Sequence, residues 1–253
     1  MKKDVVELYG DVFSSINEYD QSLIKKHLEK HFEMDEFLPA YNSYFIVTNT
    51  TTQTFPFVGK GFKANLGLDP ERMKTEGTKY WLTHFHPIDL QIFLHTMNDM
   101  MVYTLSTVAP EKRKKLTYSW SFRIKTAWGN YKTVFAHTLP IVLDDMGKPV
   151  IGVTQHTVIG EGEQAPIMGT VKYLDEHGTY TTLLHKNYSK SYLNSLLSKR
   201  EIEISELLAH NLTSKEIASQ LFISTHTVNT HRKNILKKTN LKSTHQLRPY
   251  FLH

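Results

Sequence analysis

Two tetrapeptides fifteen residues apart, Ser198-Lys-Arg-Glu201 and Thr213-Ser-Lys-Glu216, constrain this chain more than any other feature. Each puts a hydroxyl three residues ahead of a glutamate. In that capping-box arrangement the hydroxyl accepts from the third helical amide and the glutamate returns to the amide of the capping residue. Each therefore starts a helix, and the first helix must end and turn before the second begins. Apolar residues follow at helical spacing: Ile202, Ile204, Leu207 and Leu208 after the first box, Ile217, Ala218 and Leu221 after the second. Ser224 is placed to cap a third helix running to about Thr239, with Asn240 as its left-handed stop. Ser243 opens a fourth through Leu247, with a stop expected near Pro249. Four short helices joined by brief turns make residues 196–253 an all-α module.

Charge sharpens this. The chain carries a net charge of +5, and Ser198 to His253 alone hold nine Lys/Arg against four Glu and no Asp. The preceding residues are neutral in sum, so the whole imbalance sits on the helical module, as suits a module that meets a polyanion. A merely solvated basic tail would not need ordered capping boxes. Projected at 100° per residue, the third helix turns Val228, His231, Ile235 and Thr239 inward. It turns His226, Asn229, Thr230, Lys233 and Lys237 outward, and no acid occurs between Thr225 and Thr239. A solvated face gains from mixed signs at i,i+4; a face against phosphates does not. Asparagine matches the N6/N7 edge of adenine, and lysine can donate to guanine O6/N7 or to phosphate. For His231 a local role is expected instead, as a buried imidazole hydrogen-bonded within the module.

The same stretch resembles the LuxR/FixJ-type helix-turn-helix. The shared pattern is Arg200-Glu201, Leu207-Leu208-Ala209, Lys215-Glu216-Ile217-Ala218, Ile223-Ser224 with Thr227-Val228, His231, Asn234-Ile235 and Lys237-Lys238. The resemblance implies that the third helix lies in the major groove of double-stranded DNA. It implies base-edge contacts from Asn229, Thr230 and Lys233. Phosphate contacts are implied for Thr213, Thr225, Thr227 and Lys238, with Lys237 beside them on the outward stripe. The chain departs from the family's habit at Asn211, where glycine is usual, at Asn229, where lysine is usual, and at Thr239, where leucine is common.

Residues 1–39 carry helical spacing through Val5, Leu8, Val12 and Ile16, then Leu23, His27, Leu28 and Phe32. Two helices broken near Tyr19-Asp20 are expected. Short strands follow in Ser43–Asn49 and Thr54–Gly59, then a long helix after Pro87. The run from Leu116 to Lys125 alternates strictly, with Leu116, Tyr118, Trp120, Phe122 and Ile124 on one face. Gly129-Asn130 makes a hairpin turn, and two further strands close an antiparallel meander. The class is α+β. The order of elements, together with His86-Pro-Ile-Asp89 and the Trp128–Val153 segment, resembles a PAS domain over residues 40–160. That resemblance implies an antiparallel sheet with flanking helices and a sensory or dimerising role. An acyl-homoserine-lactone-binding domain is the alternative that also precedes LuxR-type helices. A receiver domain is disfavoured, and Asp144-Asp145 read as a solvated turn. Residues 161–195 read as a linker and a β-hairpin turning at Asp175–Gly178.

Chemistry in the first domain is bounded by absences. The chain has no cysteine, which removes disulfides, cysteine-ligated zinc and cysteinyl flavin chemistry. His95 is a candidate haem ligand, but a structural role is expected for it, and His84 and His86 read as surface residues. No nucleophile–base pair, metal-spaced cluster or phosphate-binding glycine loop stands out, so no enzyme and no metal are expected. No cofactor is assigned, beyond a small ligand of unknown identity in the PAS-like domain; a ligand-free dimerisation scaffold is the alternative. Asp4 and Glu7 interrupt the first apolar residues and no long apolar run occurs, so neither a signal peptide nor a membrane span is expected. The expected protein is a cytoplasmic, nucleoid-associated transcriptional regulator and homodimer, working with DNA and the transcription machinery.

Overall fold

The computed structural model describes residues 4–13, 33, 35, 37, 41–162 and 166–251. The chain divides into two compact units, residues 1–163 with 169–186, and residues 164–168 with 187–253.

The first unit is built on antiparallel pairing. Strands β1 (Ser43–Asn49), β2 (Thr54–Val58), β3 (Leu116–Lys125), β4 (Tyr131–Leu143), β5 (Pro149–Gly160), β6 (Met168–Leu174) and β7 (Tyr180–Asn187) form one sheet in the order β2-β1-β5-β4-β3-β6-β7. Helix α1 (Val5–Phe13) precedes the sheet. Helices α2 (Gly61–Leu66), α3 (Pro70–Glu76), α4 (Thr78–Leu82) and α5 (Pro87–Thr107) lie between β2 and β3 in the chain. This is the antiparallel sheet with flanking helices that the PAS resemblance implies, and the class is α+β. The second predicted N-terminal helix, Leu23 to Phe32, lies outside the described residues, as do residues 163–165 of the predicted linker.

Local chemistry sets the junctions. Asp69 caps α3 by accepting from the Glu71 amide at 2.9 Å, with Pro70 at the first helical position, where a missing N–H costs nothing. Gly77 sits at φ +60 between α3 and α4, and a Cβ there would meet the Gln53 carbonyl at 2.3 Å, so only glycine lets the two segments cross. The turn Thr126–Asn130 closes β3–β4 with Gly129 at φ +91. The turn Asp175–Thr179 closes β6–β7, and β6 adds to β3 through pairs such as Tyr118 with Val171. Asp144 organises the β4–β5 turn by accepting from the Met146 and Lys148 amides.

One side chain expected outside is inside. Arg123 falls on the polar alternation of β3, yet it is buried and paired with buried Asp89 of α5. Asp89 accepts from Arg123 Nε at 2.9 Å and from the Arg123 amide at 2.8 Å, with a third, shorter bond from the guanidinium. Arg113 is also buried, donating to the carbonyls of Leu105 and Val108 at the end of α5 and to Met146 in the β4–β5 turn. His84 and His86 are not plain surface residues either. They flank a bridge between Phe85 and Ile124, and the His86 amide donates to the Arg123 carbonyl at 2.9 Å. Both imidazoles are half-buried. Among the described residues, no helix is long and apolar enough to cross a membrane.

The second unit is helical: α6 (Tyr188–Leu196), α7 (Lys199–Ala209), α8 (Ser214–Gln220), α9 (Thr225–Thr239), a 3-10 turn (Thr244–Leu247) and α10 (Arg248–Phe251). Both capping boxes form as expected. Helix α6 is an addition to the expected elements. Its cap is Asn187, which accepts from the Lys190 amide at 2.8 Å, and it buries Tyr188, Ser189 and Leu193. Pro249 does not stop the last element but stands in the first turn of α10, where no intrahelical amide is required.

Candidate nucleic-acid interface and internal cavity

Helix α9 is held by one face. Val228 and Ile235 are fully buried, Thr239 is nearly so, and the Thr239 hydroxyl turns back to the Ile235 carbonyl at 2.8 Å. Ser224 caps the start by accepting from the Thr227 amide at 3.0 Å, and its hydroxyl meets that of Thr227 at 2.8 Å. Asn240 ends the helix in the left-handed region, φ 55 and ψ 28. His231 departs from expectation. It is half-buried, and its Nδ1 is buried with no hydrogen-bond partner among the described residues.

The opposite face is the expected stripe. His226, Asn229, Thr230, Lys233 and Lys237 are all exposed, and Thr225 is exposed at the start of the helix. Thr230 donates to the His226 carbonyl at 3.1 Å, a local bond that leaves its lone pairs available. Thr213 is committed to its own capping box, donating its hydroxyl to Glu216 at 2.7 Å. Thr227 is half-buried against Ser224.

The basic residues sort into two groups that the sequence does not separate. Lys238 Nζ meets Oε2 of Glu201 at 2.6 Å, and Glu201 is 3% exposed. Burial works to raise the Glu201 carboxyl, but the Lys238 ammonium and the Ser198 amide outweigh it and hold it below its usual value. Arg232 bridges Ser214 at 2.7 Å and Thr244 at 3.0 Å, tying α9 to α8 and to the 3-10 turn. Arg200 donates to the Leu221 carbonyl at 2.9 Å and pairs with Glu203. These three fasten the module. Lys233 and Lys237 make no hydrogen bond or ion pair among the described residues and face outward beside Asn229. Five of the expected site residues thus come together on one exposed surface: Thr225, Asn229, Thr230, Lys233 and Lys237. Lys238, also exposed, is paired with Glu201. Arg232 was missed because a cation at that position shows no partner in sequence; Ser214 and Thr244 are 18 and 12 residues away.

The turns between the helices use one device. After α7 the amides of Asn211 and Leu212 return to the carbonyls of Leu208 and Leu207. After α8 those of Phe222 and Ile223 return to Ser219 and Ala218. Both are Schellman closures, which need a left-handed residue at the first position past the cap. Asn211 takes it at φ 64 and Phe222 at φ 53. Asparagine adopts that region readily; phenylalanine does not, and Phe222 is 95% exposed.

The first unit holds a partly open cavity of ≈ 90 Å³. Its wall combines the sheet face carrying Trp120, Phe122 and His156 with Met97 and Met100 of α5 and Tyr9 of α1. His95, the candidate haem ligand, is exposed on α5 and does not line it. His156 does: it is buried, stacked on Tyr44 at 5.1 Å between ring centroids, and burial pushes its imidazole down to about 3. It is neutral at ordinary pH. Among the described residues, no group of three or more His, Cys, Asp or Glu is arranged to hold a metal ion.

Residues 195–250 match the family model described as bacterial regulatory proteins, luxR family. No curated protein matches the chain. Among solved structures, the chain is similar to the N-terminal domain of a diguanylate cyclase with PAS/PAC sensor from Marinobacter aquaeolei, at 19% identity over 47% of this chain and 95% of that one, TM-score 0.36. It is also similar to the Vibrio cholerae VqmA dimer in the absence of target DNA, described as a LuxR-type receptor, at 16% identity over 89% and 86%, TM-score 0.33. A third is the PAS domain of an HTR-like protein from Haloarcula marismortui, at 16% identity over 55% and 100%, TM-score 0.34.

Proposed function

With residues 195–250 forming a LuxR-family helix-turn-helix domain, we propose that this chain is a sequence-specific transcriptional regulator that lays α9 in the major groove of double-stranded DNA. The observation that carries the reading is the acid-free outward stripe of α9, where Asn229, Thr230, Lys233 and Lys237 are exposed together. Asn229, Thr230 and Lys233 read base edges, and Thr225 and Lys237 meet phosphate. Thr213 and Thr227, at the starts of α8 and α9, complete the phosphate contacts through helix N-termini. Lys238 presents a carboxylate-paired ammonium and contributes less to phosphate than Lys237, because Glu201 already compensates its charge.

A module with three base-reading side chains specifies few base pairs, so high specificity needs two copies on a two-fold or spaced site. The PAS-like unit then serves as the dimerising and sensory part, and a small ligand in its cavity adjusts DNA affinity. The working site is the bacterial cytoplasm, at the nucleoid and with the transcription machinery.

The test is binding of the full chain to sites selected from random duplex DNA, across a salt series. Lys233→Ala is expected to cost about 1–3 kcal/mol on the selected site and much less on random DNA. Lys237→Ala is expected to weaken both alike and reduce the salt slope by about one. Lys238→Ala is expected to change the slope less than Lys237→Ala. Equal loss for Lys233→Ala on selected and random DNA removes it from the base-reading set.

A further inference from the structure

Helix α9 begins differently from the two helices before it. Helices α7 and α8 close their capping boxes with Glu201 and Glu216 at the third helical position. At that position α9 carries Thr227, whose amide donates to Ser224 at 3.0 Å and whose hydroxyl meets that of Ser224 at 2.8 Å. The first turn of α9 therefore has a cap and no carboxylate. Within that turn stands His226. It is exposed, and among the described residues its imidazole makes no hydrogen bond or ion pair; only its carbonyl is used, by the Thr230 hydroxyl at 3.1 Å. At 100° per residue, His226 lies within about 20° of Lys233 and Lys237 and about 40° from Thr230, at the centre of the stripe. Thr225 and Thr227, the residues assigned to phosphate, lie about 100° to either side of it.

An exposed histidine is ordinarily a solvated one, and its place on α9 sets His226 apart. The N-terminal residues of a helix lying in the major groove are those that reach base edges, whereas Asn229, Thr230 and Lys233 begin one turn later. We infer that His226 is a fourth base reader, donating an imidazole N–H to a guanine beyond the base pair that Asn229 contacts, on the side away from that of Lys233. This rests on the reading of α9 as the DNA-reading helix. Guanine presents N7 and O6 in the major groove, two neighbouring acceptors with no donor beside them. Adenine sets an amino group beside N7, cytosine shows an amino donor, and thymine sets a methyl beside O4. Neutral and protonated imidazoles both carry an N–H donor, so guanine is the edge that fits either form. No acid stands on α9 to occupy that donor instead. The rise from His226 to Lys233, about 10 Å, spans about three base-pair steps. The side chains of the stripe can therefore address successive positions without crowding one base.

The test compares the full-length parent with His226→Ala and His226→Gln on sites selected from random duplex DNA. Asn229→Ala and Lys233→Ala, each relaxing its own base pair, mark the order along the site. In the parent, changing the guanine beyond the Asn229 position from G·C to A·T is expected to weaken binding about five- to tenfold, the worth of one base-edge hydrogen bond. His226→Ala is expected to bind both base pairs alike. His226→Gln is expected to prefer adenine at that position, because its amide matches the N6/N7 edge. Neither substitution is expected to move the urea midpoint of the helical module, which a role in packing would shift. Equal loss on selected and random DNA marks a phosphate contact and overturns the inference. So does an unchanged preference in both variants, or relaxation at the same base pair as Lys233→Ala. If the His226 variants fail in one of these ways while Lys233→Ala still relaxes its own position, only this inference is lost. A parent that selects no sequence ends the regulatory reading and this inference with it.

Discussion

The two units differ in what they keep on the surface, although both bury unmatched polar atoms. In the helical module Asn229, Lys233 and Lys237 stand in solvent, where water satisfies them until a partner displaces it, while Ser205 Oγ and His231 Nδ1 are buried without a hydrogen-bond partner among the described residues. Its buried charge, Glu201, is held by Lys238 and the Ser198 amide. In the sheet unit the unmatched atoms are inside, on Tyr44, His156 and Trp120. An exposed unpaired group costs nothing at rest, whereas a buried one costs continuously. The first arrangement suits a surface that waits for a polyanion. Buried unmatched atoms occur in both units, so it is the exposed, acid-free stripe of α9 that distinguishes a candidate site.

The comparison breaks most visibly where the sheet unit does satisfy a buried charge. Asp89→Ala leaves the 8%-exposed Arg123 without its carboxylate, and the expected loss is about 3–5 kcal/mol. All three tryptophans, Trp81, Trp120 and Trp128, lie in this unit, so tryptophan fluorescence in a urea titration reads it separately from the helical module. The fluorescence midpoint is expected to fall steeply while the DNA-binding module keeps its own transition.

Acid tests the unmatched groups themselves. Burial holds the His156 imidazole down to about 3, against an unfolded value near 6.5. Between those values the unfolded chain binds the extra proton, so stability is fully present above about 6.5 and falls as pH drops toward 3. From this one group the sheet unit is expected to be about 2 kcal/mol less stable at pH 5 than at pH 8. His86, lowered by burial and then by Arg123, and His137, lowered by burial and then by Lys172, push in the same direction. The same fluorescence titration at both pH values checks it, and His156→Phe should remove most of the difference.

What could be read from sequence follows the same inside–outside division. Alternation placed β3 at Leu116–Lys125, and hydroxyl–glutamate spacing placed the starts of α7 and α8, because both signals are local. The outward stripe of α9 was legible for the same reason. Arg123 was not, since its partner Asp89 is 34 residues away and an alternating pattern reports only which face a side chain leaves from. Helix α6 escaped because Tyr188–Leu196 is rich in serine, and its burial depends on tertiary contacts; the Ile167 amide, for example, donates to buried Ser189 at 2.8 Å. Lys238 looked like part of a basic pair until Glu201, 37 residues earlier, claimed it. The cross-strand neighbours Tyr44, His156, Ala136 and Trp120 come from four strands, so no stretch of sequence displays them together.

The smallest expected effect concerns Phe222, a residue that neither pattern accounts for. It occupies the left-handed position of the α8–α9 turn at φ 53, with its ring 95% exposed. A left-handed conformation costs a side-chain-bearing residue roughly 1–2 kcal/mol, and the exposed ring recovers almost none of it through burial. Glycine removes that cost but gives back roughly 0.5–1 kcal/mol through the greater freedom of the unfolded chain. Phe222→Gly is therefore expected to stabilise the helical module by about 0.5–1 kcal/mol, read as a higher urea midpoint in far-ultraviolet circular dichroism. Asn211→Gly, made at the matching turn after α7, should gain less, because asparagine already tolerates that region. If Phe222 is idle, the glycine variant binds DNA as the parent does. A loss of affinity at higher stability would place Phe222 with Asn229 and Lys233, among the groups the module keeps outside for a partner.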